Sequence, residues 1–119
     1  MKINTPSEHS EQVALIQEFE RLYPSIRIFA IPNGGYRHAA TAKKLKMEGV
    51  KKGVPDLFIP EWALWIEMKR TKGGTLSADQ KDWIDYLESI GHSVIVGRGY
   101  LDALEQIEVF LYNKTILNK

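Results

Sequence analysis

The chain has 119 residues, a formal net charge of +1, 44% hydrophobic residues and no cysteine. This length and composition predict one compact domain, residues 1–119, while the lack of cysteine excludes a disulfide scaffold and a thiolate metal site. The N-terminus lacks the apolar segment of a signal peptide, and no apolar run reaches membrane-spanning length. We therefore expect an intracellular protein that is neither secreted nor membrane-bound.

The first elements in the chain are a predicted helix and a predicted strand. Ser7 or Ser10 can cap a helix over residues 7–22, because early glutamates and a recurring apolar residue follow them. Pro24 ends this helix. Residues 26–31 alternate weakly between apolar and polar side chains, which favours a strand.

The middle of the chain predicts a loop and then two short strands. Pro-Asn-Gly-Gly at residues 32–35 is typical of a loop, and residues 37–47 fit either a short helix or an ordered loop. Residues 57–59 and 63–68 are apolar and rich in aromatic and β-branched side chains, with Pro60-Glu61 between them. This pattern predicts two strands joined by a turn.

The last third predicts a helix, a strand and a second helix. Residues 71–75 form a flexible connection, residues 77–90 a helix ended by Gly91, residues 93–96 a short buried strand and residues 100–112 an amphipathic helix. The predicted order is α-β-(α)-β-β-α-β-α. This order indicates an α/β domain with a mixed central sheet flanked by helices.

Two carboxylates and a lysine on the predicted strand pair form a candidate metal-dependent phosphodiesterase site. A turn centred on residues 61–62 would put Asp56 opposite Glu67, and paired Cβ atoms are about 4.5–5.5 Å apart. Carboxylates this close repel each other unless a cation lies between them, and Mg²⁺ prefers such oxygen ligands. Lys69 points to the same side as Glu67 and could stabilise negative charge or orient the attacking water.

An Asp near a loop and a Glu-x-Lys triplet are more often solvated surface residues. Two details favour a functional site here. The strand that carries Glu67 and Lys69 is too apolar to be an edge strand, so their charges would be costly unless they are used or paired. Asp56 also follows Gly-Val-Pro, a restricted loop.

Basic residues are concentrated immediately before this candidate site. Residues 36–52 contain six basic residues and one acidic residue, a net charge of +5. The pattern fits either a solvated helix face or a surface that neutralises phosphates, and the position next to Asp56 favours nucleic acid. The candidate nucleic-acid contacts are Asn33, Arg37, Lys43, Lys44, Lys46, Lys51 and Lys52.

Gln80 lies on the apolar stripe of the third predicted helix. Ser77-x-x-Gln80 matches a capping box, which needs no further function. A polar group directed inward could equally orient a catalytic residue. The residues alone leave both roles open.

Several of these segments together resemble the virus-type replication-repair nuclease (VRR-NUC) domain of the PD-(D/E)xK nuclease superfamily, in its small stand-alone phage type. The resemblance runs from about Glu8 to about Phe110. It is carried by Pro-Asn-Gly-Gly at 32–35, Gly-Val-Pro-Asp at 53–56, Ile-Glu-Met-Lys at 66–69, Leu-Ser-x-x-Gln-x-x-Trp at 76–83 and Gly-His-x-Val-x-Val at 91–96.

The resemblance implies a restriction-endonuclease-like core and a DNA endonuclease that uses Mg²⁺ or Mn²⁺. Asp56, Glu67 and the Met68 backbone carbonyl would bind the metal, and Lys69 would assist the water. The family also uses a glutamate of the first helix; Glu8 and Glu11 both qualify, and we prefer Glu11. Gln80 matches the family's Ser-x-x-Gln element, which favours a role in supporting the site.

The resemblance further implies a homodimer that acts on branched DNA, as Holliday-junction resolvases do. Two alternatives remain open from the sequence. One is a non-catalytic nucleic-acid-binding module of the same fold. The other is an ordinary α/β interaction domain whose charges only decorate its surface.

Overall fold

Helices and strands follow each other in the predicted order. The computed structural model describes residues 4–32 and 39–117. Its elements are α1 (Glu8–Leu22), β1 (Phe29–Ala30), α2 (Ala39–Met47), β2 (Leu57–Ile59), β3 (Leu64–Lys69), α3 (Ala78–Ser89), β4 (Ser93–Arg98) and α4 (Tyr100–Leu117). The segment before β2, which the sequence left open, is therefore helical from residue 39 to residue 47.

The four strands form one mixed sheet in the order β1-β2-β3-β4. Strand β2 is antiparallel to β1 and β3, and β3 is parallel to β4. Strand β3 is therefore an interior strand, which agrees with its apolar sequence. Leu57 pairs with Ile66 and Ile59 with Leu64, so the register predicted from a turn centred on residues 61–62 is confirmed.

The connection between β2 and β3 is one turn of 3₁₀ helix, Pro60–Trp62. Proline suits the first position of such a turn because its φ is already fixed near the helical value. Ala63 then reverses the chain with φ 47° and ψ 44°, in the left-handed region. This four-residue connection keeps the register that brings Asp56 level with Glu67.

One face of the sheet is covered by α1 and α4. The apolar side chains of this face are buried together with those of the two helices, and ten residues form the core: Leu15, Phe19, Leu57, Ile59, Leu64, Ile66, Met68, Ile95, Ala103 and Ile107. Alternation along β3 sends Trp65, Glu67 and Lys69 to the other face, which we call the open face.

Helix α3 packs beside β4 and contacts the open face through Gln80. Helix α2, in contrast, makes no extensive contact with any other described helix or strand. In the described ranges, no helix has the length and apolar composition needed to cross a membrane.

Candidate active site

Asp56 and Glu67 lie side by side at one end of the open face. Asp56 directly precedes β2, and its Oδ2 accepts a hydrogen bond of 2.7 Å from the backbone N–H of Met68. Glu67 lies in β3 at 2% exposure. The Met68 side chain points the other way, into the core, so this residue can serve the site only through its backbone.

The pKa of Glu67 is raised to about 8 from an ordinary value near 4.5. Burial is the largest cause, and the adjacent Asp56 adds both charge repulsion and a hydrogen bond that favours the protonated form. Lys69 acts in the opposite direction, and the charge of Glu8 raises the pKa slightly further. A divalent cation would relieve this repulsion, because it favours both carboxylates in their charged form.

Gln80 connects Lys69 to Glu67. The Lys69 ammonium donates a hydrogen bond of 3.0 Å to Gln80 Oε1, and Gln80 Nε2 donates one of 3.3 Å to Glu67 Oε2. Lys69 Nζ also lies 3.8 Å from Glu67 Oε2. With Lys69 at 5% exposure, the ammonium is held in one position, which a flexible surface lysine is not.

Gln80 both caps α3 and contacts Lys69. The Ser77 hydroxyl accepts a hydrogen bond from the Gln80 backbone N–H at 3.1 Å, and the Ser77 backbone N–H donates to Gln80 Oε1 at 2.9 Å. These two bonds form a capping box at the start of α3. The same Oε1 atom accepts from Lys69, so the helix cap itself fixes the position of the lysine.

Close packing of a glycine brings the loop before Asp56 against α3. Gly53 has a φ of +91°, and a Cβ there would lie 2.7 Å from the backbone carbonyl carbon of Asp79. Only glycine fits both the conformation and the space. Pro55 is fully buried, so Asp56 is held by a loop that is itself anchored on the helix that carries Gln80.

The two candidate glutamates of α1 lie in different surroundings. Glu11 is buried, and its Oε1 accepts a hydrogen bond of 3.1 Å from the Tyr100 backbone N–H, at the first turn of α4. A carboxylate is favourable at a helix N-terminus, so Glu11 ties α1 to α4. Glu8 is exposed, and its charge is the smallest of the contributions that raise the pKa of Glu67.

Five of the seven candidate nucleic-acid contacts lie in two consecutive segments of the described chain. Lys43, Lys44 and Lys46 are exposed on α2, and Lys51 and Lys52 are exposed in the loop that follows. Lys52 Nζ lies 3.8 Å from Asp79 Oδ2, which places this lysine beside the start of α3. Asn33 and Arg37 lie outside the described residues.

The donor set fits Mg²⁺ or Mn²⁺. Asp56 and Glu67 supply two hard carboxylate groups next to the Met68 backbone, and the Met68 thioether points away into the core. Within residues 4–32 and 39–117, no three acidic or histidine side chains converge on one point. Among the described side chains, Asp56 and Glu67 are therefore the pair that could hold such an ion.

The sequence reasoning missed an aromatic group beside these residues. Trp65 Nε1 donates a hydrogen bond of 2.9 Å to His92 Nδ1, and the rings of Phe58 and Trp65 lie 4.2 Å apart. Phe58 is two residues after Asp56, and Trp65 is two before Glu67. That spacing is the signal that could have placed both aromatic residues on the face of the carboxylates.

Three comparisons with known proteins bear on this arrangement. The curated proteins gave no match. A solved structure described as a VRR_NUC domain protein is similar, with a TM-score of 0.77 and 25% sequence identity over 92% of each chain. Its similarity confirms the mixed α/β fold, with which a PD-(D/E)xK core is consistent. The VRR-NUC domain model matches residues 7–100, and the chain thus belongs to the VRR-NUC domain family, nucleases of the PD-(D/E)xK type.

Proposed function

We propose that this chain is an Mg²⁺- or Mn²⁺-dependent endonuclease that hydrolyses phosphodiester bonds in DNA. One observation carries the proposal: Asp56, Glu67, Lys69 and Gln80 meet at one end of the open face, with Glu67 at 2% and Lys69 at 5% exposure. Charges withdrawn from water lower stability unless they are paired or used. Two adjacent carboxylates and a fixed ammonium are more than a binding module needs.

Each residue of the cluster has a distinct role in this proposal. Asp56, Glu67 and the Met68 backbone carbonyl would hold the ion, which when bound lowers the pKa of water and neutralises phosphate charge. Lys69 directs its ammonium at the attacking water or at the charge that develops on the phosphate. Gln80 keeps that ammonium in place, so its orientation is set before the substrate binds.

Glu8, and not Glu11, is the α1 glutamate that we assign to the site. Its charge acts on Glu67, whereas the Glu11 carboxylate already accepts a hydrogen bond from the first turn of α4. Binding Glu11 to a metal would remove a cap from that helix. Glu8 is exposed and is free to turn towards an ion or its water shell.

The preferred substrate in this proposal is branched DNA, such as a Holliday junction, in phage replication, recombination or repair inside a cell. The chain would act as a homodimer, so that two sites cut two strands. Exposed apolar residues of α4, Leu101 at 67% and Tyr112 at 66% exposure, offer a surface for self-association. The basic residues of α2 and of the following loop would bind phosphates without reading sequence.

The decisive experiment is cleavage of labelled four-way junction, flap, duplex and single-stranded DNA with Mg²⁺, Mn²⁺ or EDTA. We expect metal-dependent cutting that Asp56→Ala abolishes and Asp85→Ala leaves intact, because Asp85 is an exposed aspartate on α3. Binding without cutting of any substrate would instead support a non-catalytic module.

A further inference from the structure

The open face of the sheet carries a row of aromatic rings. Phe29 pairs with Phe58, and Phe58 pairs with Trp65, so the three side chains project from the same face of adjacent strands. Their ring centroids lie 5.8 Å apart for the first pair and 4.2 Å for the second. We call these three residues the aromatic row.

His92 holds one end of the aromatic row in place. Its Nδ1 accepts the hydrogen bond from Trp65 Nε1, and its ring lies within 18° of parallel to those of Phe58 and Trp65. The polar atom of the indole is thereby satisfied. The hydrogen bond and the ring contacts hold Phe58 and Trp65 against each other, which lowers the cost of ordering them when a ligand binds.

Helices do not cover the aromatic row in the described part of the chain. Helices α1 and α4 cover the opposite face, and α3 packs along β4 and reaches the open face through Gln80, at Glu67 and Lys69. Phe29 is 47% exposed, and Phe58 and Trp65 are partly exposed. Large aromatic side chains left open to water on one face of a sheet indicate a binding surface.

The row is adjacent to the candidate active site. Phe58 is two residues from Asp56, and Trp65 is two residues from Glu67, which corresponds to about 7 Å along each strand. That length is roughly two base steps of a DNA strand at about 3.4 Å per step. A nucleotide beside a phosphate held at the carboxylates would therefore reach the rings.

This proximity argues against a second copy of the chain as the occupant of the row. A standard protein interface buries about 800 Å² on each partner, a patch with a radius of roughly 16 Å. A patch of that size centred on Phe58 would cover Asp56 and Glu67 and exclude the substrate. A single base needs far less area and brings its own phosphate to the site.

We propose that Phe29, Phe58 and Trp65 form a stacking platform for an unpaired base next to the phosphate that is cut. This inference rests on the proposed nuclease function and narrows its branched substrates to those with an unpaired nucleotide at the cleavage point, such as a flap or a splayed arm, rather than a fully paired Holliday junction. Bases stack on aromatic rings without regard to sequence. Bases of an intact duplex are already stacked on each other and cannot reach the platform.

The test compares binding of a splayed-arm DNA with a fully paired duplex that has the same number of phosphates. Fluorescence anisotropy in EDTA, which prevents metal-dependent cutting, gives both affinities. We expect Phe58→Leu to weaken splayed-arm binding by roughly fivefold to a hundredfold, the effect typical of removing one stacked ring, and to leave duplex binding unchanged. Phe58→Tyr, which keeps an aromatic ring, should retain the wild-type preference for splayed-arm DNA over duplex.

Two further variants keep the test decisive if Phe58→Leu does not fold. Phe29→Leu changes an exposed ring of the same row, and Tyr86→Leu is its matched control at 53% exposure on α3. Phe29→Leu should weaken binding of the splayed arm alone, and Tyr86→Leu should change neither affinity. Tryptophan fluorescence should fall on addition of oligothymidylate, and Trp65→Phe should remove most of that change.

Equal effects on both DNAs, or none, would overturn the platform. A change from dimer to monomer in sedimentation of Phe58→Leu would instead assign the row to contact between copies. The nuclease proposal is judged separately: metal-dependent cutting with no selective loss in Phe58→Leu or Phe29→Leu rejects only the platform. Selective loss of binding in a protein that cuts nothing rejects only the nuclease.

Discussion

Strand β3 and helix α2 both carry conspicuous charge, but they hold it in opposite ways. Glu67 and Lys69 of β3 are almost completely buried, and hydrogen bonds to Gln80 fix both side chains. Lys43, Lys44 and Lys46 of α2 are exposed on a helix that packs extensively against no other described element. The side chains of Glu67 and Lys69 are therefore held in one conformation, whereas the side chains of the α2 lysines can adopt many.

This difference separates residues suited to catalysis from residues suited to binding DNA. A buried and oriented charge can stabilise a specific arrangement of atoms, and its effect is strong because little water screens it. Exposed lysines act through a field that salt weakens and that does not depend on exact position. Changes in β3 should therefore alter cleavage, and changes in α2 should alter affinity.

The largest expected effect is the loss of cleavage in Lys69→Ala, which removes the buried ammonium of β3. If the ammonium acts on the transition state, cleavage should fall by at least about a hundredfold, while DNA affinity changes little. Single-turnover cleavage and anisotropy, with Lys81→Ala as the exposed control, measure the two quantities. A loss confined to affinity would place Lys69 with the α2 lysines.

The two glutamates of α1 allow a charge that supports cleavage to be distinguished from a charge that stabilises the fold. Glu8→Gln should lower cleavage by at least about tenfold, as loss of a group that supports a metal site does, with little change in melting temperature. Glu11→Gln should lower the melting temperature, because it weakens the contact with the first turn of α4. The opposite result, with cleavage lost only in Glu11→Gln, would return the catalytic role to Glu11.

Gln80 can be separated into its two roles by comparison with Ser77. Ser77→Ala removes one bond of the capping box and should cost about 0.5–2 kcal/mol of stability with nearly unchanged cleavage. Gln80→Ala should cost a similar amount and also lower cleavage several-fold, because Lys69 loses its 3.0 Å partner. Equal cleavage by the two variants would leave Gln80 with the helix cap alone.

Replacing Lys43, Lys44 and Lys46 with glutamine tests whether the exposed lysines of α2 bind DNA. We expect weaker binding to every DNA and a shallower salt dependence, by up to about 0.9 for each phosphate that the variant no longer neutralises. Measuring affinity at several salt concentrations gives the slope. If the slope does not change, α2 does not contact DNA.

The last expected effect concerns stability alone, through its dependence on pH without metal. The pKa of Glu67 is about 8 in the folded protein and near 4.5 when unfolded, so between these values only the folded state keeps the proton. Stability should therefore fall as pH rises through this window. Glu67→Gln should flatten that fall in melting temperature and remove any stabilisation by Mn²⁺, whereas Glu61→Gln, an exposed control, should do neither.

The sequence predicted the open-face geometry well because strand alternation and the β2–β3 register are nearly rigid rules. Once residues 57–59 and 63–68 were placed as strands joined by a turn centred on residues 61–62, Asp56 had to lie opposite Glu67, with Lys69 on the same side. The Ser77-x-x-Gln80 signature likewise predicted both the start of α3 and the position of Gln80, since capping is local.

The helices that cover the other face were harder to orient from sequence. Within the predicted amphipathic helix over residues 100–112, the apolar residues Leu101 and Val109 are 67% and 53% exposed, whereas Ala103 and Ile107 are buried. Apolar residues surround this helix, so the pattern did not reveal which side faces the sheet. The role of Glu11 was equally hidden, because its partner Tyr100 is 89 residues away.

The shared oxygen of Gln80 has a consequence for how the family could diverge. One atom caps α3 and holds Lys69, so a descendant that lost cleavage would still be under selection to keep the glutamine for its fold. Lys69, whose ammonium contacts only Gln80 and Glu67 among the interactions described, would have no comparable reason to persist. Loss of the lysine, with the glutamine retained, is therefore the mark that we expect in a relative that has given up catalysis.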